Sequence, residues 1–154
     1  MPETVFGLPT HALLVHASVV LIPLAALLVA LHALWPGARR RLGVVTPLAA
    51  AAALVLTPLS TESGESLERL VGRSPLVERH AQLADGLLPW TVALFVVAVA
   101  VWFLGRPDRG ARPRWLPVVV GVLAVAAAAG TVQQVVRIGH AGAEATWSDV
   151  VGTS

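Results

Sequence analysis

The residues of this chain best suited to coordination chemistry are four histidines at the ends of long apolar stretches. His11 and His16 open the first stretch, His80 precedes the third, and His140 follows the fourth. Imidazole nitrogens bind Zn, Cu and Fe ions and also serve as axial ligands of haem iron. Because an ionisable side chain within a membrane-length apolar segment is costly, such a residue is a candidate functional residue. These four histidines are therefore the first candidates for a binding site.

The spacing of the histidines limits how they can share one ligand. His11 and His16 are five residues apart, so on a regular helix they point about 140° apart and lie about 7.5 Å apart along the axis. They cannot easily coordinate one metal ion together, and His16 is the deeper of the two in the apolar stretch. A joint site must therefore be assembled across helices, from one of these two residues together with His80 and His140.

Three further ionisable residues bear on such a site. Glu65 is the carboxylate that we include as a candidate metal ligand, and it could share a helical face with Glu68, three residues further on. Arg137 lies at the end of the fourth apolar stretch, where it either extends to the membrane interface or pairs with a carboxylate or a haem propionate. His32 lies at the opposite end of the first stretch and is predicted to have only a structural role.

The composition indicates a membrane protein. The chain has 154 residues, of which 56% are hydrophobic and 13% are charged, and its mean hydropathy is +0.75, far above the level of a soluble domain. It contains no cysteine, which excludes disulfides, iron–sulfur clusters and thiolate metal sites. Its basic residues are all arginines placed beside apolar stretches, so we predict that they set membrane topology and bind no nucleic acid.

Four apolar stretches must position the candidate ligands. They cover roughly residues 11–35, 42–59, 83–105 and 115–138, each near the ~20 residues that a helix needs to cross the hydrocarbon. We therefore predict an all-α fold, in which residues 1–154 form a single integral membrane four-helix bundle. Pro23, Pro47 and Pro89 lie within these spans and predict helix kinks.

The connections predict the orientation of the bundle. The first connection carries Arg39, Arg40 and Arg41, and the third carries four arginines with a single acid, Asp108. The positive-inside rule places both in the cytoplasm, so both termini lie on the outer side of a multi-pass cytoplasmic (inner) membrane protein. The second connection, residues 60–82, is then outside, with a helix start at Ser60 or Thr61.

Two further helical segments are predicted on the outer side. Ser74 and Pro75 mark a helix start, from which the third helix extends above the membrane before entering it near Leu83. The tail is predicted to be small and polar, with at most a short interfacial helix over residues 143–151. His11, His16, His80 and His140 all fall on this outer side.

Three sequence blocks resemble a known family. The segments FGLPTHALLVHASVVLIPLA, TESGESLE with ERHAQLAD, and GHAGAEATW are similar to a bacterial membrane-protein family, domain of unknown function 2231. The resemblance covers nearly the whole chain and implies a small four-helix membrane protein with histidines at its helix ends. Some members are fused or adjacent to cytochrome c-like or Rieske-type modules, which implies a redox setting and a periplasmic partner of that kind. The family's motif positions are His11, His16, Glu65, His80 and His140.

Three functions are weighed against one another. The first is a b-type haem protein that transfers electrons, with His16 opposed by His80 or His140 and Arg137 or Arg79 near the propionates. The second is a non-haem Zn, Cu or Fe site, with ligands from His80, His140, Glu65 and either His11 or His16. The third is a structural or assembly subunit in the lipid bilayer without a cofactor. Haem b is the first expectation, and homo-oligomerisation is left open.

The sequence gives little support for an enzyme. No nucleophile–base pair and no phosphate-binding loop is recognisable, so hydrolase and kinase activities are not expected. Charged residues are absent from the middle of the spans, which argues against a proton pump or an ion-coupled transporter. An electron-transfer or metal-binding subunit is the expected class.

Overall fold

The computed structural model describes residues 4–5, 7–71, 74–106 and 113–151. Two short strands, β1 (Thr4–Val5) and β2 (Leu8–Pro9), pair antiparallel before the first helix. The helices that follow are α1 (Thr10–Leu34), α2 (Pro36–Leu42), α3 (Val45–Val71), α4 (Pro75–Asp85), α5 (Leu87–Leu104) and α6 (Trp115–Val151). The predicted all-α fold is confirmed. Some charged residues of the second and third connections are outside the described residues, namely Arg73, Asp108, Arg109 and Arg112.

Four helical segments of the described chain are long and apolar enough to cross a membrane. They are Thr10–Leu34, Val45–Arg69, Pro75–Leu104 and Trp115–Ser148. In the most apolar segment of each, only 22% to 28% of the residues are buried within the bundle. Large apolar side chains therefore face outward, which in water would be strongly unfavourable and in lipid is not. The protein is thus a membrane protein with four apolar spanning helices.

Small side chains form much of the bundle core. Ala26, Ala50, Ala53, Ala98 and Ala124 are fully buried, which lets neighbouring helix backbones approach closely, as is common in membrane bundles. Buried threonines add polar groups to this core, and several satisfy them locally by donating to a carbonyl one turn earlier in their own helix. The core therefore contains small and polar side chains without leaving their hydrogen bonds unmade.

The second connection differs from its prediction. α3 continues without a break through Pro58 to Val71, so the predicted new helix start at Ser60 or Thr61 is wrong. The Thr61 hydroxyl donates to the carbonyl of Pro58, one turn earlier, at 3.0 Å. Thr61 therefore lies within a continuous helix and does not cap a new one. The start at Ser74 is confirmed, because its Oγ accepts from the Val77 N–H at 3.2 Å.

The tail also differs from its prediction. α6 is a single helix of 37 residues, about 55 Å long, so the predicted end near residue 138 and the separate short helix over 143–151 are wrong. The reason is tertiary. The buried stripe of α6 continues through Gln134 to Ala141, and this part of the helix packs on α4. Burial extends the helix well past the apolar sequence.

Two of the three prolines that were expected to kink a helix lie instead in the first turn of one. Pro47 and Pro89 are the third residues of α3 and α5, where the missing N–H removes no intrahelical hydrogen bond. Pro23 lies inside α1 as predicted, and Pro58 lies inside α3. Both helices begin later than the predicted apolar stretches, at Val45 and Leu87, so Pro47 and Pro89 fall in first turns.

The two ends of the bundle differ in chemistry. The polar end contains the start of α1, the end of α3, α4 and the last turns of α6, whereas the arginine end contains α2, the end of α5 and the start of α6. At the arginine end, His32 is buried and its Nδ1 lies 2.7 Å from the Thr46 Oγ1. This hydrogen bond joins α1 to α3, which is a structural role for His32.

Candidate functional site

His11 is held at the polar end between α1 and α3. Its Nδ1 lies 3.1 Å from the Ser63 Oγ, and the Ser63 hydroxyl donates its single proton to the Ser60 carbonyl at 2.8 Å. Because that proton is already used, Ser63 accepts from His11, and Nδ1 carries the imidazole hydrogen. In the neutral ring the lone pair is therefore on Nε2, the atom that a metal ion would bind.

His80 is held in the same way between α4 and α6. Its Nδ1 lies 3.1 Å from the backbone carbonyl of Ile138, and a carbonyl can only accept, so Nδ1 is again the protonated nitrogen. The neutral His80 ring likewise presents a free lone pair on Nε2. The His80 Nε2 has no hydrogen-bond partner among the described residues, whereas the Ser60 backbone also forms a hydrogen bond with the His11 ring.

Each of these two imidazoles rests on a glycine of the facing helix. A Cβ at Gly64 would lie 3.1 Å from the His11 Cε1, and a Cβ at Gly142 would lie 3.0 Å from the His80 Cε1. Both distances are tighter than nearly all real contacts of a Cβ, so any larger residue would push the ring out of place. The two glycines therefore fix where each ring sits.

The bundle brings His11 and His80 to the same end. They come from α1 and α4, separated in sequence by most of α1, by α2 and by all of α3, and the fold places both at the polar end. Both side chains are half-buried. Two imidazoles, each oriented by a hydrogen bond at Nδ1, thus lie at the same end of the bundle.

His16 has a different environment. Its side chain is exposed, and its Nδ1 lies 2.6 Å from the Ala12 carbonyl of its own helix. His16 is therefore not buried within the bundle, although it lies further along the apolar stretch than His11. Because the two residues point about 140° apart on one helix, the face that turns His11 toward α3 turns His16 away from the bundle.

His140 is also turned away from the imidazole pair. Its side chain is 73% exposed, and its Nε2 lies 3.2 Å from Glu144 Oε1. Glu144 also accepts from the Arg79 guanidinium at 3.1 Å. His80 packs between Ile138 and Gly142, which share one face of α6, and residue 140 lies about 200° around the helix from either. The structure therefore does not bring His140 together with His80 in one pocket.

Glu65 and Arg137 complete the predicted set. Both side chains are exposed, and neither forms a hydrogen bond or ion pair with another described residue. Among the residues that the structure describes, no three His, Asp or Glu side chains are placed to hold one metal ion. Of the five predicted ligands, His11 and His80 are the two whose rings pack between helices at the polar end, and the full set stays a prediction.

The residues present do not fit a haem bound through His16. Bis-histidine ligation needs two imidazoles that face each other across an apolar slot, whereas His16 points outward and the His11 and His80 rings contact glycines. An apolar groove of about 390 Å³ lies between α1 and α3, lined by Leu21, Ala51, Ala52, Val55, Leu56 and Leu59. No histidine lines this groove, so it supplies no axial ligand.

The sequence contained an unused signal for this site. His11, Ser18, Ala25 and His32 recur every seven residues along α1, and this stripe packs on α3 through His11–Ser63, Ser18–Ser60 and His32–Thr46. A seven-residue period is typical of a helix–helix seam. It would have selected His11 over His16 as the inward-facing histidine. The partners Ser63, Gly64 and Gly142 were not predicted.

Comparison with known proteins gives one match. A family model described as a predicted membrane protein (DUF2231) matches residues 7–154. No curated protein and no solved structure matches the chain.

Proposed function

The chain belongs to this family of predicted membrane proteins, and on that premise we propose that it binds a transition-metal ion through His11 and His80. The observation that carries the proposal is the orientation of the two imidazoles. Each comes from a different helix and forms a hydrogen bond with an oxygen atom through Nδ1, which orients the ring and its Nε2. Metal-binding histidines have this arrangement, because the outer hydrogen bond fixes the tautomer and the ring orientation.

The donor set limits the class of metal. Neutral imidazole suits Zn, Cu and Fe, whereas Mg and Ca prefer oxygen ligands. Two imidazoles leave coordination positions open for water, a small ligand or a donor from a partner protein. An open site of this kind favours metal handling or electron exchange over a purely structural metal. This proposal takes precedence over haem b because it needs neither His16 nor a porphyrin slot.

The distribution of arginines supports a location of this site on the outer side of the membrane. Arg39, Arg40 and Arg41 lie on α2 at the arginine end, whereas Glu65, Glu78 and the other acids of the described chain lie at the polar end. By the positive-inside rule the polar end faces outward from a cytoplasmic membrane. The proposed metal site would then be accessible to periplasmic or extracellular partners.

The metal proposal is tested on protein purified in detergent with a tag that contains no histidine. The sample is equilibrated with Zn²⁺, Cu²⁺ or Fe²⁺, freed of unbound metal and analysed for metal content, and a reduced-minus-oxidised absorption spectrum is recorded. We expect about one ion per chain for at least one of these metals and no haem α-band. A sharp α-band, or protein that retains none of the three metals, would contradict the proposal.

The orientation can be tested because the chain has no cysteine. Thr146 and Arg40 are exposed at the polar end and the arginine end, so Thr146→Cys and Arg40→Cys each create a single labelling site. In spheroplasts, a membrane-impermeant maleimide is expected to label Thr146→Cys at once and Arg40→Cys only after lysis. The reverse pattern would place the histidine pair in the cytoplasm.

A further inference from the structure

The arginine end contains a notch that the metal site does not use. It lies where the end of α1, α2, the end of α5 and the start of α6 meet, and it is lined by Ala33, Arg39, Val101, Leu104, Pro117, Val120 and Gly121. Its volume of about 40 Å³ is near that of one water-sized group. The notch would therefore admit an oxygen of a larger molecule whose remainder stays outside.

Among the residues that the structure describes, Arg39 is the only charged one that lines this notch. Its guanidinium is anchored through Nη2 to the Ala33 carbonyl at 2.9 Å and through Nε to the His32 carbonyl at 3.4 Å. Its aliphatic carbons lie against Gly105, where a Cβ would be 3.2 Å from the Arg39 Cδ. A guanidinium has five N–H donors, so three remain without a partner among the described residues. Arg39 is thus fixed in place with donors to spare.

The surroundings of the notch favour an anion with an apolar tail. The described residues of this end include Arg40, Arg41, Arg106 and Arg114 besides Arg39, and no carboxylate. Arg106 lies over the Trp102 ring at 3.9 Å, as expected of side chains at a membrane interface. Next to the notch on α6, Val118 and Val122 are 65% and 64% exposed. Positive charge therefore adjoins a strip of apolar helix surface.

We propose that this notch binds the phosphate of an anionic phospholipid, whose acyl chains lie along α6. One phosphate oxygen enters beside Arg39 and accepts its spare N–H groups, because such charge-assisted bonds are stronger than neutral ones. The neighbouring arginines contribute long-range attraction to an anionic headgroup. Arg39 provides the specificity, since among the described residues it is the charged one that lines the notch while bound to the end of α1.

The proposal is tested by lipid binding to the full chain in detergent, with phosphatidylglycerol, phosphatidylcholine or inorganic phosphate as the added ligand. Binding is followed by native mass spectrometry and by the thermal unfolding midpoint. Arg39→Gln removes the anchored charge, and Arg40→Gln is the matched control because Arg40 is exposed outside the notch. Gly121→Leu keeps every charge and adds a bulky apolar side chain at a residue that lines the notch, where a Cβ has room because nothing outside its own helix backbone lies within 4 Å.

We expect phosphatidylglycerol to bind the parent protein more tightly than phosphatidylcholine. Both Arg39→Gln and Gly121→Leu should weaken that binding about tenfold, and Arg40→Gln should change it less than twofold. Equal losses for the two arginine variants would overturn the proposal in favour of diffuse surface charge. Unchanged binding in Gly121→Leu, or an equal midpoint shift with inorganic phosphate alone, would also overturn it. Because Gly121→Leu leaves the anchoring of Arg39 intact, misfolding of Arg39→Gln does not remove the test.

Discussion

His80→Ala and His11→Ala are each expected to weaken metal binding by about a hundredfold or more. Loss of an outer hydrogen-bond partner of a ligand costs about 10- to 100-fold in affinity, and loss of the ligand itself costs more. Each variant leaves a single oriented imidazole at the polar end, because the two rings come from different helices. The measurement is a competition titration of the purified protein with Zn²⁺ or Cu²⁺ against a chelator of known affinity.

His16→Ala is the matched control for this prediction. His16 has the same side chain on the same helix but is exposed and bonded to its own backbone, so its loss should leave the affinity within about twofold. Gly142→Ala adds a further check, because it keeps both imidazoles and places a Cβ 3.0 Å from the His80 Cε1. It should weaken binding by an intermediate factor. Equal effects of His16→Ala and His80→Ala would mean that the imidazole pair is not the site.

Gly130→Ala is expected to lower the free energy of unfolding by about 1–3 kcal/mol, the usual cost of overpacking a close contact. Gly130 on α6 lies against the ring of Trp90 on α5, and a Cβ at this position would overlap that ring. The neighbouring Thr131 hydroxyl lies 3.4 Å from the Trp90 carbonyl, so the two helices are joined at the same level. The stability is measured by thermal or detergent-induced unfolding in micelles.

Two further variants test whether the loss of stability in Gly130→Ala arises from the contact with the Trp90 ring. Gly139→Ala makes the same change on the same helix, but no described atom lies within 4 Å of its Cβ, so stability should stay equal or rise slightly with helix propensity. Trp90→Leu removes the ring and should recover part of the loss in the Gly130→Ala background. A Gly130→Ala protein as stable as Gly139→Ala would show that the Trp90 ring simply rotates away.

The proposed metal site illustrates how far sequence pattern alone reaches. The sequence identified His11 and His80 as candidates because of their residue type and their position at apolar-segment ends. It could not decide between His11 and His16, since a helix of known period still has an unknown rotation about its axis. Contact with α3 decides that rotation, and the Ser63 and Gly64 partners of His11 are 52 and 53 residues away in sequence.

The fold shows the same division. The sequence by itself determined four spanning helices and the helix start at Ser74, because hydrocarbon thickness and backbone capping act locally. Only the tertiary structure decided that α3 runs to Val71 and that α6 runs to Val151. Those extensions lie beyond the apolar stretches, and in α6 the extension is stabilised by packing on α4, a contact between segments that are far apart in sequence. Local chemistry therefore specified the helices, and packing specified their lengths, their rotations and the partners of His11 and His80.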